Sequence, residues 1–103
     1  MKIAIAAESD TPQAQVSHHG ARAPYYLVFD ENSQMLEAIG NPYANAERGA
    51  GPGAAQFLAQ LGIQMVVAGD FGGRFIDELE AGGIKHVEAN GIVSDIVAGI
   101  LNA

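Results

Sequence analysis

The stretch Met65-Val66-Val67-Ala68 is apolar at every position, so a strand built from it needs cover on both faces. Such strands belong in parallel sheets closed above and below by helices. The flanks agree. Upstream, Ala54 to Leu61 carries alanines with Phe57, Leu58 and Leu61 at helical spacing, and Gly62 supplies a stop. Pro52 fits the entrance of that helix, where a missing N–H costs nothing. Downstream, Gly69-Asp70-Phe71-Gly72-Gly73 reads as a tight turn, and Phe75 to Ala81 as a second helix ended by Gly82-Gly83. A doubly buried strand over 63–68 between two helices commits this half of the chain to layered α/β packing.

The first half reads differently. Residues 2–7 form an aliphatic central strand, and Thr11 to Gly20 a polar surface loop. Tyr25 to Phe29 is strongly β-prone and stops at Asp30-Glu31-Asn32-Ser33, after which Gln34 to Ile39 returns as a hairpin arm. Gly40 to Gly53 is a long connection. A short strand over Ile84 to Glu88 and an amphipathic helix over Ile92 to Leu101 complete the chain. The order predicts an antiparallel meander followed by right-handed parallel crossovers. That is a mixed five-stranded sheet with about three helices, an α/β, three-layer arrangement resembling ribonuclease H.

The 103 residues make one domain, 1–103, large enough for a core without staples. With 49% hydrophobic and 17% charged residues the chain is globular, and its apolar runs are too short to cross a membrane. The opening apolar run is too short for a secretory signal, so a cytoplasmic location is expected. The chain has no cysteine, which excludes disulfides, thiolate metal sites and a cysteine nucleophile. A net charge of −7 argues against nucleic acid as partner.

The cations are Lys2, Arg22, Arg48, Arg74 and Lys85, and the three arginines fall in loops or at element ends rich in glycine. The loop His18-His19-Gly20-Ala21-Arg22-Ala23-Pro24 holds two of the three histidines and one arginine. Imidazole is a common metal ligand and guanidinium a forked anion donor. Adjacent histidines on an extended loop point their rings in opposite directions, so the pair does not ligate one metal together. The plain alternative is two polar loop residues. Arg22 precedes an Ala-Pro step that stiffens its backbone, which suits an anion; the alternative is a surface salt bridge with one of the acids.

Gly69, Asp70, Phe71, Gly72 and Gly73 follow a buried strand and open a helix, where α/β sheets bind ligands through helix N-terminal N–H groups. Gly51 and Gly53 enter the preceding helix in the same way, with Arg48 beside them. These two glycine-rich entrances are expected to face the histidine loop across one cleft. Tight turns explain the glycines equally well. Glu8, Asp10 and Asp70 are too few near the strand ends for two-metal hydrolysis, and no serine sits in a G-x-S-x-G elbow.

The start Met1-Lys2-Ile3-Ala4-Ile5-Ala6, the loop from Val16 to Tyr26, the Asn41-Pro42 step and Gly69-Asp70-Phe71-Gly72 together resemble the nitrogenase iron–molybdenum cofactor biosynthesis accessory family. That family takes in NifX-like and NifB C-terminal-like domains and the molybdenum–copper orange protein. The resemblance covers the whole chain. It implies a small non-enzymatic carrier or chaperone for a molybdenum-containing metal–sulfur cluster, iron–molybdenum or molybdenum–copper, with no organic cofactor. The family loop reads His-Phe-Gly-Arg-Ala-Pro-Tyr-Phe. Aligned without a gap, its His falls on His19, its Arg on Arg22, its Phe on Gly20 and its Gly on Ala21. Taken with the two glycine-rich entrances, the candidate cluster-binding residues are His19, Arg22, Gly51, Gly53, Gly69, Asp70, Phe71, Gly72 and Gly73, with His19 and His18 as the metal candidates. The rival reading is a metal-free module docking a cofactor-assembly partner such as a MinD-type ATPase.

Overall fold

The strand Met65–Ala68, labelled β4, lies between two parallel neighbours, as its uniformly apolar sequence requires. One neighbour is β1 (Lys2–Ala7) and the other β5 (Lys85–Glu88). On the far side of β1 run β2 (Tyr25–Asp30) and β3 (Met35–Gly40), both paired antiparallel as a meander. The order is β3-β2-β1-β4-β5, a mixed five-stranded sheet. The computed structural model describes residues 1–101.

Alternation along the strands divides the core into two layers. Ala4 and Ala6 of β1, Tyr26 and Val28 of β2, and Val66 and Ala68 of β4 face one side. There they meet Ala54, Ala55 and Leu58 of α1 (Ala50–Gln60) and Phe75 and Leu79 of α2 (Gly73–Ala81). Ile3, Ile5, Leu27, Phe29 and Val67 face the other side, against Val93 and Val97 of α3 (Val93–Leu101). Each large apolar side chain buried this way contributes about 1.5–3 kcal/mol. The result is the three-layer, ribonuclease-H-like arrangement that the element order implies.

Two helix stops share one device. Gly62 (φ 78°) and Gly83 (φ 73°) take the left-handed turn that closes α1 and α2. Ile63 and Ile84 then donate their N–H groups back to the carbonyls of Leu58 and Leu79 and bury their side chains. A Leu-Gly-Ile or Gly-Gly-Ile step thus ends a helix and aims the chain into the next strand.

The start of α1 departs from the sequence expectation. The helix opens at Ala50, four residues before the expected Ala54, with Gly49 as its N-terminal flanking residue (φ 71°). Pro52 sits inside the first turn. Gly51 and Gly53, read as a loop from composition, are helical.

β1, β3, β4 and β5 all run in the same direction, because β3 and β1 are each antiparallel to β2. The segments 8–24, 41–49, 69–72 and 89–92 therefore leave the sheet at a single edge. Every candidate site residue except Gly53, which lies inside α1, is on or beside one of these segments.

Candidate functional site

The loop after β1 is fixed from below by the turn after β4. Ser17 N–H donates to the Ala6 carbonyl at 2.8 Å, and Gly69 N–H donates to the Ser17 carbonyl at 2.7 Å. Gly20 N–H then reaches the Asp70 carbonyl at 2.9 Å. Glycines make this approach possible. A Cβ on Gly69 would lie 2.7 Å from His18 Nδ1 and 2.8 Å from Asn90 Oδ1, and one on Gly20 would lie 2.9 Å from the Asp70 carbonyl oxygen.

Asn41 and Tyr26 hold the rest of the loop. The buried Asn41 donates through Nδ2 to the carbonyls of Ala21 (2.9 Å) and Ala23 (3.0 Å), while its Oδ1 accepts from Tyr43 N–H at 3.0 Å. The Tyr26 hydroxyl, fully buried, donates to the Gly20 carbonyl at 2.6 Å. Burial pushes the Tyr26 phenol far above its usual value, so it stays a donor throughout the working pH range.

Above this frame is an open groove. Its larger part, about 460 Å³, is lined by Arg22, Arg48, Arg74, Gly51, Gly72 and Gly73 over a floor that includes Phe71. A smaller hollow of about 170 Å³ continues from it, sharing Arg22, Phe71 and Gly72 and adding His18, His19 and Asp70. The buried Phe71 ring stacks on Phe75 at 5.7 Å and meets His86 edge-on at 5.2 Å, which rigidifies the floor.

The groove is positive for two independent reasons. Three of the chain's five cations line it, and among the described residues none of the three arginines is in a salt bridge; the ion pair present joins the Met1 amino group to Glu31. Arg22 donates instead to the Ala46 carbonyl. The two helix N-termini that open here are also unneutralised. Neither α1 nor α2 has a side-chain cap or an acid in its first turn, whereas α3, on the opposite layer, carries Asp95. Ile76 N–H closes the first turn of α2 on the Gly72 carbonyl, so the N–H groups of Gly73, Arg74 and Phe75 lie ahead of the helix's own ladder.

Eight of the ten residues singled out from the sequence line this groove: His18, His19, Arg22, Gly51, Asp70, Phe71, Gly72 and Gly73. Gly53 and Gly69 do not. Gly53 donates its N–H to the Gly49 carbonyl, and a Cβ on it would lie 2.3 Å from the Tyr43 ring. Its role is packing of the 41–49 segment on α1. Gly69 lies beneath His18 and Asn90, supporting the loop above. Arg74 and Glu47 line the groove without having been singled out, and the clamp of Asn41 and Tyr26 was equally unforeseen. The clue was the placement of all three arginines beside glycines.

Among the described residues no three His, Cys, Asp or Glu side chains stand together closely enough to hold a metal ion. The groove offers anion donors instead. No helix among them is long and apolar enough to cross a membrane.

The fold is a three-layer α/β domain with a groove lined by three arginines at the carboxyl edge of its sheet, the edge at which open α/β sheets bind their ligands. The chain belongs to the dinitrogenase iron–molybdenum cofactor family, whose profile spans residues 1–102. The apo orange protein from Desulfovibrio gigas is similar, at 30% identity and a TM-score of 0.90 over 98% of this chain and 87% of that one. A Thermotoga protein solved by NMR as a candidate NifB protein of the DUF35 family shows 27% identity and a TM-score of 0.82, over 99% and 88% of the two chains. A candidate dinitrogenase from Methanocaldococcus jannaschii shares the fold at 14% identity and a TM-score of 0.64, over 99% and 88%. No curated protein matches the sequence.

Proposed function

We propose that the protein is a cytoplasmic, non-enzymatic carrier that holds a multiply charged anionic metal–sulfur or oxometallate cluster for cofactor assembly or transfer. The observation that carries this reading is the convergence, on one groove of a protein with net charge −7, of three arginines that form no salt bridge among the described residues and of two helix N-termini without a side-chain cap. Membership of a family named for the iron–molybdenum cofactor supports a molybdenum-containing cargo. With no cysteine and no three-residue metal-ligating group among the described residues, the cargo brings its own sulfide or oxide. Arg22, Arg48, Arg74 and the N–H groups of Gly73 and Arg74 bind its periphery by charge-assisted hydrogen bonds. Phe71 gives it an apolar floor, and Gly72, with open space where a Cβ would stand, lets it approach the backbone.

The histidines flank the smaller hollow and supply at most one or two contacts. Gly20 has no room for a side chain, so the family's glycine fits best on Gly20, with Ala21 as an added residue. That places the family's histidine on His18 and its aromatic residue on His19. We therefore assign the cargo contact to His18 in the first instance and the covering position to His19.

The test is anaerobic incubation with tetrathiomolybdate plus copper or ferrous iron, followed by gel filtration, elemental analysis and a visible spectrum. Stoichiometric metal with sulfide-to-metal charge-transfer bands is expected, lost in an R22Q/R48Q/R74Q variant that keeps its circular dichroism. Equal retention by that variant overturns the assignment of the groove.

A further inference from the structure

Two acids line the groove: Asp70 in the smaller hollow, and Glu47 in the larger part alongside all three arginines. Glu47 is exposed, immediately precedes Arg48, and makes no salt bridge with Arg22, Arg48 or Arg74. Its neighbour Ala46 presents the carbonyl that accepts from the Arg22 guanidinium. Among the described residues that is the sole side-chain hydrogen bond to residues 44–49. The segment's own backbone contributes turn bonds, from Ala44 N–H to the Asn41 carbonyl and from Ala46 N–H to the Tyr43 carbonyl, both 3.2 Å long. It ends at Gly49, a left-handed residue (φ 71°) with no neighbour that a Cβ would meet within 4 Å, whose carbonyl accepts the first hydrogen bond of α1 from Gly53 N–H.

We infer that residues 46–47 form a displaceable internal competitor: the Ala46 carbonyl takes up a donor of Arg22 and Glu47 lowers the positive potential of the groove until a multiply charged anion displaces both. This rests on the carrier reading and adds regulation to it. Carbonyl and carboxylate are the two chemistries that resemble the rim of an oxo- or thioanion, and both are presented by one weakly tethered segment. A singly charged anion gains little from replacing them. The net Coulomb attraction grows with the charge of the anion, whereas displacing the segment costs the same whatever enters, so the segment sets a charge threshold for entry and Glu47 raises it. A partner that drew the 44–49 segment aside would load the groove, and one that pressed it inward would expel the cargo.

The experiment is calorimetric titration of the full chain with tetrathiomolybdate at low ionic strength, for the unmodified protein and Glu47→Gln. It is paired with amide exchange over residues 44–49 with and without the anion. Glu47→Gln is expected to bind roughly fivefold more tightly, one unit charge removed at groove distance. Exchange over 44–49 is expected to rise on binding in the unmodified protein. Binding by the unmodified protein with equal or weaker binding by Glu47→Gln, or with slower exchange over 44–49, overturns the competitor and leaves the carrier reading intact. Binding by Glu47→Gln alone supports the competitor in its strongest form. If neither binds, the carrier reading fails and the competitor falls with it.

Discussion

The Tyr26 hydroxyl sits 2.6 Å from the Gly20 carbonyl, so a residue in the middle layer of the core fixes the bend of a loop six positions earlier in the chain. The bond is fully buried at its donor, and Gly20 in turn is tied through its N–H to Asp70. The groove is thus positioned by the core itself.

Replacing Tyr26 by Phe keeps the ring and removes the hydroxyl. The Gly20 carbonyl then lacks its donor in a water-poor place, which costs about 1–3 kcal/mol. For a domain of this size that is a fall in melting temperature of roughly 4–8 °C for each kcal/mol. Cargo affinity should drop in parallel, because the loop bearing His18 and Arg22 loses its anchor. An unchanged melting temperature would remove Tyr26 from this role.

The same phenol makes stability fall at high pH. The unfolded chain releases the Tyr26 proton near pH 10, whereas burial raises the folded value well beyond that. Above about pH 10 the folded state therefore binds more protons than the unfolded one, and stability declines as pH rises, by at most ~1.4 kcal/mol per pH unit. Below that pH the contribution is complete and flat. Urea midpoints at pH 9 and pH 11 should separate more for the native sequence than for Tyr26→Phe; identical separations would contradict the assignment.

Helix propensity alone says that Gly53→Ala gains ~1 kcal/mol in the first turn of α1. The Tyr43 ring says otherwise, since the new Cβ would stand 2.3 Å from it. The overlap is worth about 1–3 kcal/mol and wins. Gly53→Ala should destabilise, and adding Tyr43→Ala should restore the propensity gain. Chemical denaturation of the four members of that cycle measures the coupling, and additive effects would refute the contact.

Much of the fold was legible because it rests on local patterns. The apolar Met65–Ala68 run, the hairpin signal at Asp30–Ser33 and the Gly62 and Gly82-Gly83 stops each fixed an element to within a few residues. The start of α1 was not, because Gly49-Ala50-Gly51-Pro52-Gly53 has a loop's composition. Its glycines answer a tertiary demand: Gly51 lets the backbone of Phe75 come close and Gly53 makes room for Tyr43. The site divides the same way. The histidine loop and the Gly72-Gly73 turn were visible as segments, whereas the meeting of Arg22, Arg48 and Arg74 depends on three connections ending at one sheet edge. Asn41 was visible only as part of the Asn41-Pro42 step; its clamp on the loop was not, since its partners are two backbone carbonyls, an N–H and the Tyr26 hydroxyl brought together by the fold.

Gly73 offers a direct contrast between stability and binding. It opens α2, has no neighbour that a Cβ would meet within 4 Å, and faces the groove. Gly73→Asp should stabilise the fold by about 0.5–1 kcal/mol, by stiffening the unfolded chain and neutralising the helix end. It should weaken binding of a dianionic cargo by roughly tenfold, since the carboxylate stands where the cargo's charge would lie. Melting curves and titrations on one preparation check both signs, and tighter binding would show that the helix end takes no part.

None of the twelve acidic side chains is buried, while the arginines are gathered at one edge. A dissolved anion therefore meets a repulsive far field before it meets an attractive near one, and the two have different ranges. Salt that shortens the Debye length to ~10 Å quiets the far field first. Arrival should quicken with ionic strength while residence shortens, the reverse of the steering seen when a whole protein opposes its ligand in sign. At low ionic strength, collision from bulk solution is thus the slow route in. Handover across a docked surface, which never crosses the outer field, is the fast one.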